Sequence, residues 1–291
     1  MTLQTEMGNE IMNILYCGDK NISDGLIISV LSLLENISEE LDIHILTMAL
    51  ETEQKIYEPV SEKLAAKLDM LVKEKNCESA VTLHDISGLF AENMPLANMG
   101  TRFTPCCMLR LFADDLGYLP DKILYLDNDV ICRCDFSEFY NIDVKDIELA
   151  GVRDHYGKWF FGYDYLNSGV LLLNLKKIRE TGLFEKCRRM CREKRMFMPD
   201  QSAINNSVRS KRVFPRRYNE QRKLHKDTVF QHFTTSFRFF PWFHSVSVKP
   251  WQTERMHTVL KLYEYDTLLE KYISFKEEFE NEQRNTGVFF D

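Results

Sequence analysis

Two carboxylates, two residues apart, interrupt an apolar run in Lys122-Ile-Leu-Tyr-Leu-Asp127-Asn128-Asp129-Val-Ile131. Side chains at i and i+2 of an extended chain point the same way, so Asp127 and Asp129 project together from the end of the run. Convergent carboxylates repel unless a cation sits between them. Hard divalent cations such as Mg²⁺ or Mn²⁺ take oxygen ligands and bridge carboxylates to phosphates. Asp and Asn are also common turn residues, and from this stretch alone a metal site and a turn fit equally. Arg110 is the second residue with chemistry to explain. It lies in the apolar body of Thr104-Pro-Cys-Cys-Met-Leu-Arg110-Leu-Phe112. A buried guanidinium needs an anion, either a structural carboxylate or a ligand phosphate.

The elements that must hold these residues follow from periodicity. Asn13–Cys17 reads as a first strand, followed by the loop Gly18-Asp19-Lys20-Asn21. A helix from about Ser23 carries Ile27, Ile28, Val30, Leu31, Leu33 and Leu34 on its apolar side. Strands are expected at 42–47 and 79–83, with one long helix over 51–74 between them. This β-α-β-α-β order implies a mostly parallel, Rossmann-like sheet with covering helices. In such sheets ligands bind at the carboxyl ends of the strands, where the Gly18–Asn21 loop and the Asp127/Asp129 pair both fall. Pro105 at a first helical position opens a helix around Arg110. Further strands are expected to end at Asp154 and to run through Val170–Leu175, with Asn167-Ser-Gly at its entry and a loop over 162–167. A basic helix over 176–196 is read as a solvated face ahead of a contact with anionic lipid or acceptor. A short helix holds Asp200 and Gln201, and 229–233 forms a short strand. An aromatic-rich insert spans Phe233 to Phe243, with packing ahead of sugar stacking as its role, and a long helix covers 253–283.

Composition limits the function. The net charge of −7 gives no support for nucleic-acid binding. Apolar residues make up 44% of the 291 and charged residues 28%, ordinary for a globular protein. No stretch has the length of a transmembrane helix, and the polar, acidic first ten residues lack signal-peptide features. The expected location is therefore cytoplasmic, with peripheral contact at the inner membrane face left open. The eight cysteines show no Cys-x-x-Cys framework, so free thiols are expected rather than disulfides or zinc.

Taken in order, Asp19 and Asn21, Arg110, Leu124-Tyr-Leu-Asp-Asn-Asp129, Asn167-Ser-Gly-Val-Leu-Leu-Leu-Asn174, Asp200-Gln201, His232 and Lys249-Pro-Trp251 resemble the motif set of the family 8 retaining glycosyltransferases. The resemblance covers about Asn13 to Trp251. It implies a GT-A fold, α/β in class, with acceptor-side elements, here over residues 1–251 and followed by a C-terminal helical extension over 252–291 packed on the same domain. It also implies a hexosyltransferase that uses a UDP-sugar, glucose ahead of galactose, and a glycan or glycolipid acceptor of the bacterial surface-glycan type. In this reading Asp127, Asp129 and His232 ligate Mn²⁺, or less readily Mg²⁺. Cys17, Gly18, Asp19, Asn21 and Asn128 face the nucleotide, and Lys249 faces the diphosphate. Arg110, Asp154, Asn167, Asp200 and Gln201 line the donor sugar, with Gln201 beside the anomeric carbon and Asp200 next to it. The chain departs from the pattern after His232. The family's short His-x-x-Gly-x-x-Lys-Pro-Trp is replaced by a longer insert without glycine. Two other functions compete with this one: a nucleotidyltransferase, for which Gly18–Asn21 is poor in Gly and Lys, and a non-catalytic nucleotide-sugar or carbohydrate binder of the same fold.

Overall fold

A computed structural model describes residues 11–286 apart from 54, 100, 102, 103, 239–241 and 243. In chain order, β1 (Met12–Cys17) leads through a 3-10 turn (Lys20–Ile22) into α1 (Ser23–Asn36) and β2 (Leu41–Thr47). There follow β3 (Leu50–Glu51), β4 (Ile56–Tyr57), α2 (Glu62–Lys75), β5 (Ala80–Asp85), α3 (Ser87–Glu92) and a 3-10 helix (Pro105–Phe112). The middle of the chain holds β6 (Lys122–Leu126), β7 (Val130–Cys132), α4 (Ser137–Tyr140), β8 (Leu149–Arg153), α5 (Gly157–Phe160) and β9 (Leu166–Asn174). After these come α6 (Leu175–Thr181), α7 (Leu183–Glu193), α8 (Pro199–Ser207) and β10 (Lys211–Phe214). The last described elements are β11 (Phe230–His232), β12 (Ser236–Arg238), β13 (His244–Val246), α9 (Thr253–Arg255), a π-helical turn (Met256–Leu260) and α10 (Asp266–Thr286).

Seven strands form the central sheet in the order β10-β8-β9-β6-β1-β2-β5. Only β9 runs antiparallel to its neighbours β6 and β8; the other pairs are parallel. The inner strands β1, β6 and β8 are mostly apolar on both faces because both faces are covered, as expected of a largely parallel sheet. Alternate residues enter separate cores. Ile14, Tyr16, Leu124 and Leu126 pack with α1 and α2. Leu15, Ile123 and Tyr125 pack with the Pro105–Phe112 helix and α7. On the first side α10 adds Leu268, Leu269, Tyr272 and Phe275. Ion pairs from Lys276 to Asp24 (2.7 Å) and from Lys271 to Glu35 (2.6 Å) join it to α1. Among the described residues no helix is long and apolar enough to cross a membrane.

Several expected elements change. Residues 51–74 do not make one helix: β3 and β4 pair as a hairpin, and α2 starts at Glu62. Pro59, which lacks an N–H and restricts its predecessor, stands between the two. The segment around Arg110 is 3-10 rather than α-helical. The 176–196 helix divides at Gly182, which adopts φ +62°, a left-handed conformation suited to glycine. Its basic residues are less solvated than expected. Arg188 pairs with Asp114 and Asp115, and Arg179 donates to the carbonyls of Asp114, Leu116 and Leu119. The last helix is broken by the π-turn and by Lys261 at φ +57°. The aromatic insert lies partly outside the described residues. Phe233 is buried against Tyr265, Phe237 packs edge-on against Tyr156, and Trp242 is exposed. All eight cysteines are free thiols, with Cys106, Cys132, Cys187 and Cys191 buried.

Candidate active site

The apolar run that carries Asp127 breaks where β6 ends. Val130 N–H donates to the Asp127 carbonyl (3.1 Å), so Asp127–Val130 is a turn. The turn and the carboxylate pair are one feature: the reversal detaches β7 from the main sheet and lets it pair antiparallel with β11. Its register sets His232 opposite Val130, which brings an imidazole from a hundred residues downstream to the two carboxylates. His232 Nε2 lies 3.2 Å from Asp129 Oδ1 and 3.5 Å from Asp127 Oδ2. One ligand atom from each of the three residues falls within 4.8 Å of the others. Two carboxylate oxygens and one imidazole nitrogen suit a divalent metal of borderline hardness.

Close packing enforces the arrangement. A Cβ on Gly169, in β9, would lie 2.6 Å from His232 Nδ1 and 2.8 Å from Asp127 Oδ2. Only glycine leaves room there for the imidazole. Gly25, in α1, does the same for Asn128 and Trp251, whose ring atom Cζ3 would sit 2.7 Å from an added Cβ. The Asn128 side chain thus lies against the start of α1, and the Lys-Pro-Trp tryptophan packs on the same spot.

Electrostatics follow from burial and neighbours. Burial opposes the charge on Asp127, but Arg110 beside it, with His232 and Tyr125, holds the carboxyl far below the usual range. Asp129 is likewise depressed against its burial by Lys249 and His232. Burial would lower His232, yet Asp129 and Asp127 raise it to about 9. Without metal the imidazole therefore holds an extra proton between the two carboxylates, in the position a cation fits.

Arg110 is 3% exposed and fully engaged. Its guanidinium reaches Asp127 Oδ1 at 2.9 Å and Asp200 Oδ2 at 3.4 Å. It also donates to the carbonyls of Cys107 (3.0 Å) and Ser168 (2.5 Å) and lies 3.9 Å from the Tyr125 ring centroid. Asp127 and Asp200 are the anions that its buried charge meets. Tyr125 Oη donates to Asp127 Oδ1 at 2.6 Å.

From Asp200 the network continues through Ser168 Oγ (3.3 Å) to Gln201, whose Oε1 accepts from Ser168 N–H at 3.0 Å. Gln201 Nε2 donates to Asp154 Oδ2 at 3.2 Å. That same oxygen accepts from Asn167 Nδ2 at 2.9 Å, while Asp154 Oδ1 accepts from Tyr156 and Gly157 N–H and caps α5. Asn167 Oδ1 accepts from Asn219 Nδ2 (2.9 Å), and Asn219 Oδ1 lies 3.2 Å from His232 Nδ1. The polar contacts close into a ring that runs from Asp127 through Arg110, Asp200, Ser168, Gln201, Asp154, Asn167, Asn219 and His232 back to Asp127.

The ring brings Arg110, Asp127, Asp154, Asn167, Asp200, Gln201 and His232 together, with Asp129 attached to His232. Lys249 joins through an ion pair with Asp129 and a bond to the Phe233 carbonyl (2.9 Å), so its ammonium lies on the carboxylate rather than at a separate anion site. The first loop stands outside the ring. Asp19, itself buried, accepts from Asn21 N–H (3.3 Å) and Nδ2 (2.6 Å). Gly18 N–H donates to the Leu46 carbonyl (3.0 Å) and Cys17 is half-buried at the end of β1. Burial pushes the Cys17 thiol up, with Arg110 and Asp127 within electrostatic reach. Sequence reasoning missed Tyr125, Ser168 and Asn219. Tyr125 had a signal, a polar tip two residues before Asp127 in an apolar strand. Asn219 had none, standing in the polar stretch Arg216-Arg-Tyr-Asn-Glu-Gln221.

Three metal-type donors thus stand at the carboxyl edge of a mostly parallel sheet, beside a cluster of buried polar side chains. The sequence model of glycosyl transferase family 8 matches residues 13–255, and the chain belongs to that family. Its similarity to a lipopolysaccharide 1,2-glucosyltransferase of Escherichia coli K12 is 30% identity over 72% of this chain and 62% of the relative. The chain therefore spans about three fifths of that relative's length. A lipopolysaccharide 1,3-galactosyltransferase of Salmonella typhimurium is 24% identical over 75% of this chain and 66% of its own. Among solved structures, galactosyltransferase LgtC in complex with donor and acceptor sugar analogs superposes with a TM-score of 0.66 at 20% identity, covering 90% of this chain and 96% of that one. The fold is GT-A.

Proposed function

We propose that this glycosyltransferase moves a hexose from a UDP-sugar to a hydroxyl of a glycan or glycolipid, with retention at the anomeric carbon and with a divalent metal held by Asp127, Asp129 and His232. The observation that carries the reading is the convergence of these three donors beside the Arg110, Asp200 and Gln201 cluster. A bound divalent ion supplies positive charge opposite a leaving diphosphate without proton chemistry. The mixed oxygen and imidazole donors favour Mn²⁺ over Mg²⁺.

The remaining residues bind and orient. Arg110 and Tyr125 fix the Asp127 carboxylate in one rotamer. Lys249 adds a second positive charge at the same edge, a point charge that a diphosphate oxygen can take over from Asp129. Asp19 and Asn21 offer side-chain hydrogen-bonding groups to the base and ribose from the loop after β1, where the Gly18 N–H and carbonyl are already bonded to Leu46 and Thr47. Gln201 has its carbonyl oxygen bonded by Ser168 and its amide nitrogen by Asp154. A committed amide oxygen is a poor nucleophile beside a carboxylate. This favours attack by the acceptor hydroxyl on the leaving-group face, with the departing phosphate oxygen taking its proton.

The relatives named for lipopolysaccharide glucosyl and galactosyl transfer support a bacterial surface-glycan intermediate as acceptor. UDP-glucose stands ahead of UDP-galactose as donor. The aromatic run Trp159, Phe160 and Tyr163, each more than two-thirds exposed, follows directly on the residues that Asp154 caps. It supports peripheral contact with a surface that carries a glycolipid, on the cytoplasmic side. The test is a donor screen that follows UDP release from several UDP-sugars with Mn²⁺. Release confined to UDP-glucose or UDP-galactose supports the reading. Formation of UTP and hexose 1-phosphate when pyrophosphate is supplied, or no release from any UDP-sugar, overturns it.

A further inference from the structure

We infer that Asn219 is a positioning residue that sets the tautomer of His232 and ties the metal site to the sugar pocket. This rests on the metal reading proposed above and goes beyond it. Each step follows from what the groups can donate or accept. The Asp154 carboxylate only accepts, so Asn167 must present its Nδ2 to it (2.9 Å). The Gly169 backbone N–H only donates, and it meets Asn167 Oδ1 at 3.0 Å. Two independent groups thus orient the Asn167 amide the same way. Its Oδ1 then receives Asn219 Nδ2 (2.9 Å), which turns Asn219 Oδ1 toward His232 Nδ1 (3.2 Å). An amide oxygen only accepts, so Nδ1 must carry a hydrogen. The other ring nitrogen, Nε2, is the one that faces Asp127 and Asp129. A neutral imidazole with hydrogen on Nδ1 presents the Nε2 lone pair to a cation between those carboxylates.

Asn219 is 1% exposed and His232 is 6% exposed, so water cannot take over either contact cheaply. The far end of the relay is Asp154 Oδ2, which also holds the Gln201 amide nitrogen. The relay that orients the imidazole therefore ends on the carboxylate oxygen that also holds Gln201, the side chain proposed to lie beside the anomeric carbon. Loss of a group that orients a histidine ligand in this way typically weakens metal binding about 10- to 100-fold.

Two variants separate the two ends of the relay. Asn219→Leu removes both contacts. Asn219→Asp keeps an acceptor for His232 Nδ1 and replaces the donor to Asn167 with a second acceptor, so only the sugar-side link breaks. Mn²⁺ affinity is read from the electron paramagnetic resonance signal of free Mn²⁺, and kcat and thermal midpoint are measured alongside. Asn219→Leu is expected to bind Mn²⁺ about tenfold or more weakly. Asn219→Asp is expected to bind within about threefold of wild type and to lose at least about tenfold in kcat. Should Asn219→Leu fail to fold, the near-isosteric Asn219→Asp carries the test. The inference is overturned if Asn219→Asp loses Mn²⁺ affinity as Asn219→Leu does, if it turns over at the wild-type rate, or if both variants lower the thermal midpoint while the folded protein binds Mn²⁺ as before. Wild-type protein that binds no Mn²⁺ refutes the metal reading itself and is distinguished from these results.

Discussion

Arg110→Met probes how the candidate site is held together. Methionine keeps an unbranched stem in the apolar surroundings and removes the charge. Asp200, with a side chain 7% exposed, then lacks its guanidinium, and Asp127, at 25%, keeps His232 and Tyr125 as partners. Removing one member of a buried ion pair costs about 3–5 kcal/mol, and an unsatisfied buried carbonyl costs about 1–3 kcal/mol. Two carbonyls, of Cys107 and Ser168, lose their donor. Asp127 is partly solvated and doubly supported, so each contribution is taken at the low end of its range, about 3 kcal/mol for the ion pair and about 1 kcal/mol for each carbonyl, which makes about 5 kcal/mol together. Urea unfolding followed by circular dichroism reads the change. Arg110→Lys keeps the charge but cannot serve four acceptors from one ammonium, so a loss of about 2 kcal/mol is expected. Mn²⁺ should restore part of the loss in both variants, since a cation on Asp127 offsets the missing one. An Arg110→Met protein within about 1 kcal/mol of wild type would refute the reasoning, because it would mean that the buried carboxylates do not depend on the guanidinium.

The same contacts carry four further predictions. Gly169→Ala should displace the His232 ring, lowering stability by about 1–3 kcal/mol and weakening Mn²⁺ binding in the same variant; wild-type affinity by calorimetry would count against the packing argument. In metal-free protein His232 is raised to about 9, so its contribution to stability is complete below its unfolded pKa of 6.5 and is lost as the pH rises through about 9. Asp127 is depressed, so its contribution is complete above 3.8 and is lost as the pH falls below that. The metal must displace the His232 proton, so Mn²⁺ affinity should rise about tenfold per pH unit up to that pKa and then level off. A pH-independent affinity between 6.5 and 8.5 would remove His232 from the ligand set. Finally, Tyr125→Phe deletes the 2.6 Å bond to Asp127 and should cost about 1.5–3 kcal/mol by denaturant midpoint, as expected for a bond to a charged group.

Much of the fold was legible because periodicity encodes burial. The runs at 13–17 and 122–126 are apolar on both faces, as befits a sheet covered on both sides, and 42–47 alternates apolar and polar residues as a strand does. The Asp127/Asp129 pair was legible because a buried strand supplies no reason of its own to end in two carboxylates. What stayed hidden depends on backbone breaks and on partners distant in sequence. Residues 51–57 carry the polarity of a helix but pair as a hairpin ahead of Pro59. The 3-10 form of 105–112 leaves no mark on apolar spacing. His232 is placed with the carboxylates by the family resemblance alone, because the antiparallel register that brings it there joins two three-residue strands, too short for any pattern. Asp154 is expected at sugar hydroxyls; that four N–H groups meet its oxygens follows only from the meeting of α5, β9 and α8.

The central claim is that Asp127, Asp129 and His232 hold a metal required for transfer from a UDP-sugar. Its most direct test is UDP release from UDP-glucose and UDP-galactose as a function of Mn²⁺ concentration, in wild type and in Asp127→Asn with Asp129→Asn. The account predicts saturable Mn²⁺ dependence in the wild type, loss of activity in chelator with recovery on adding Mn²⁺, and no metal-dependent release from the folded double variant. Turnover in the double variant at the wild-type rate and with the wild-type Mn²⁺ dependence would contradict it.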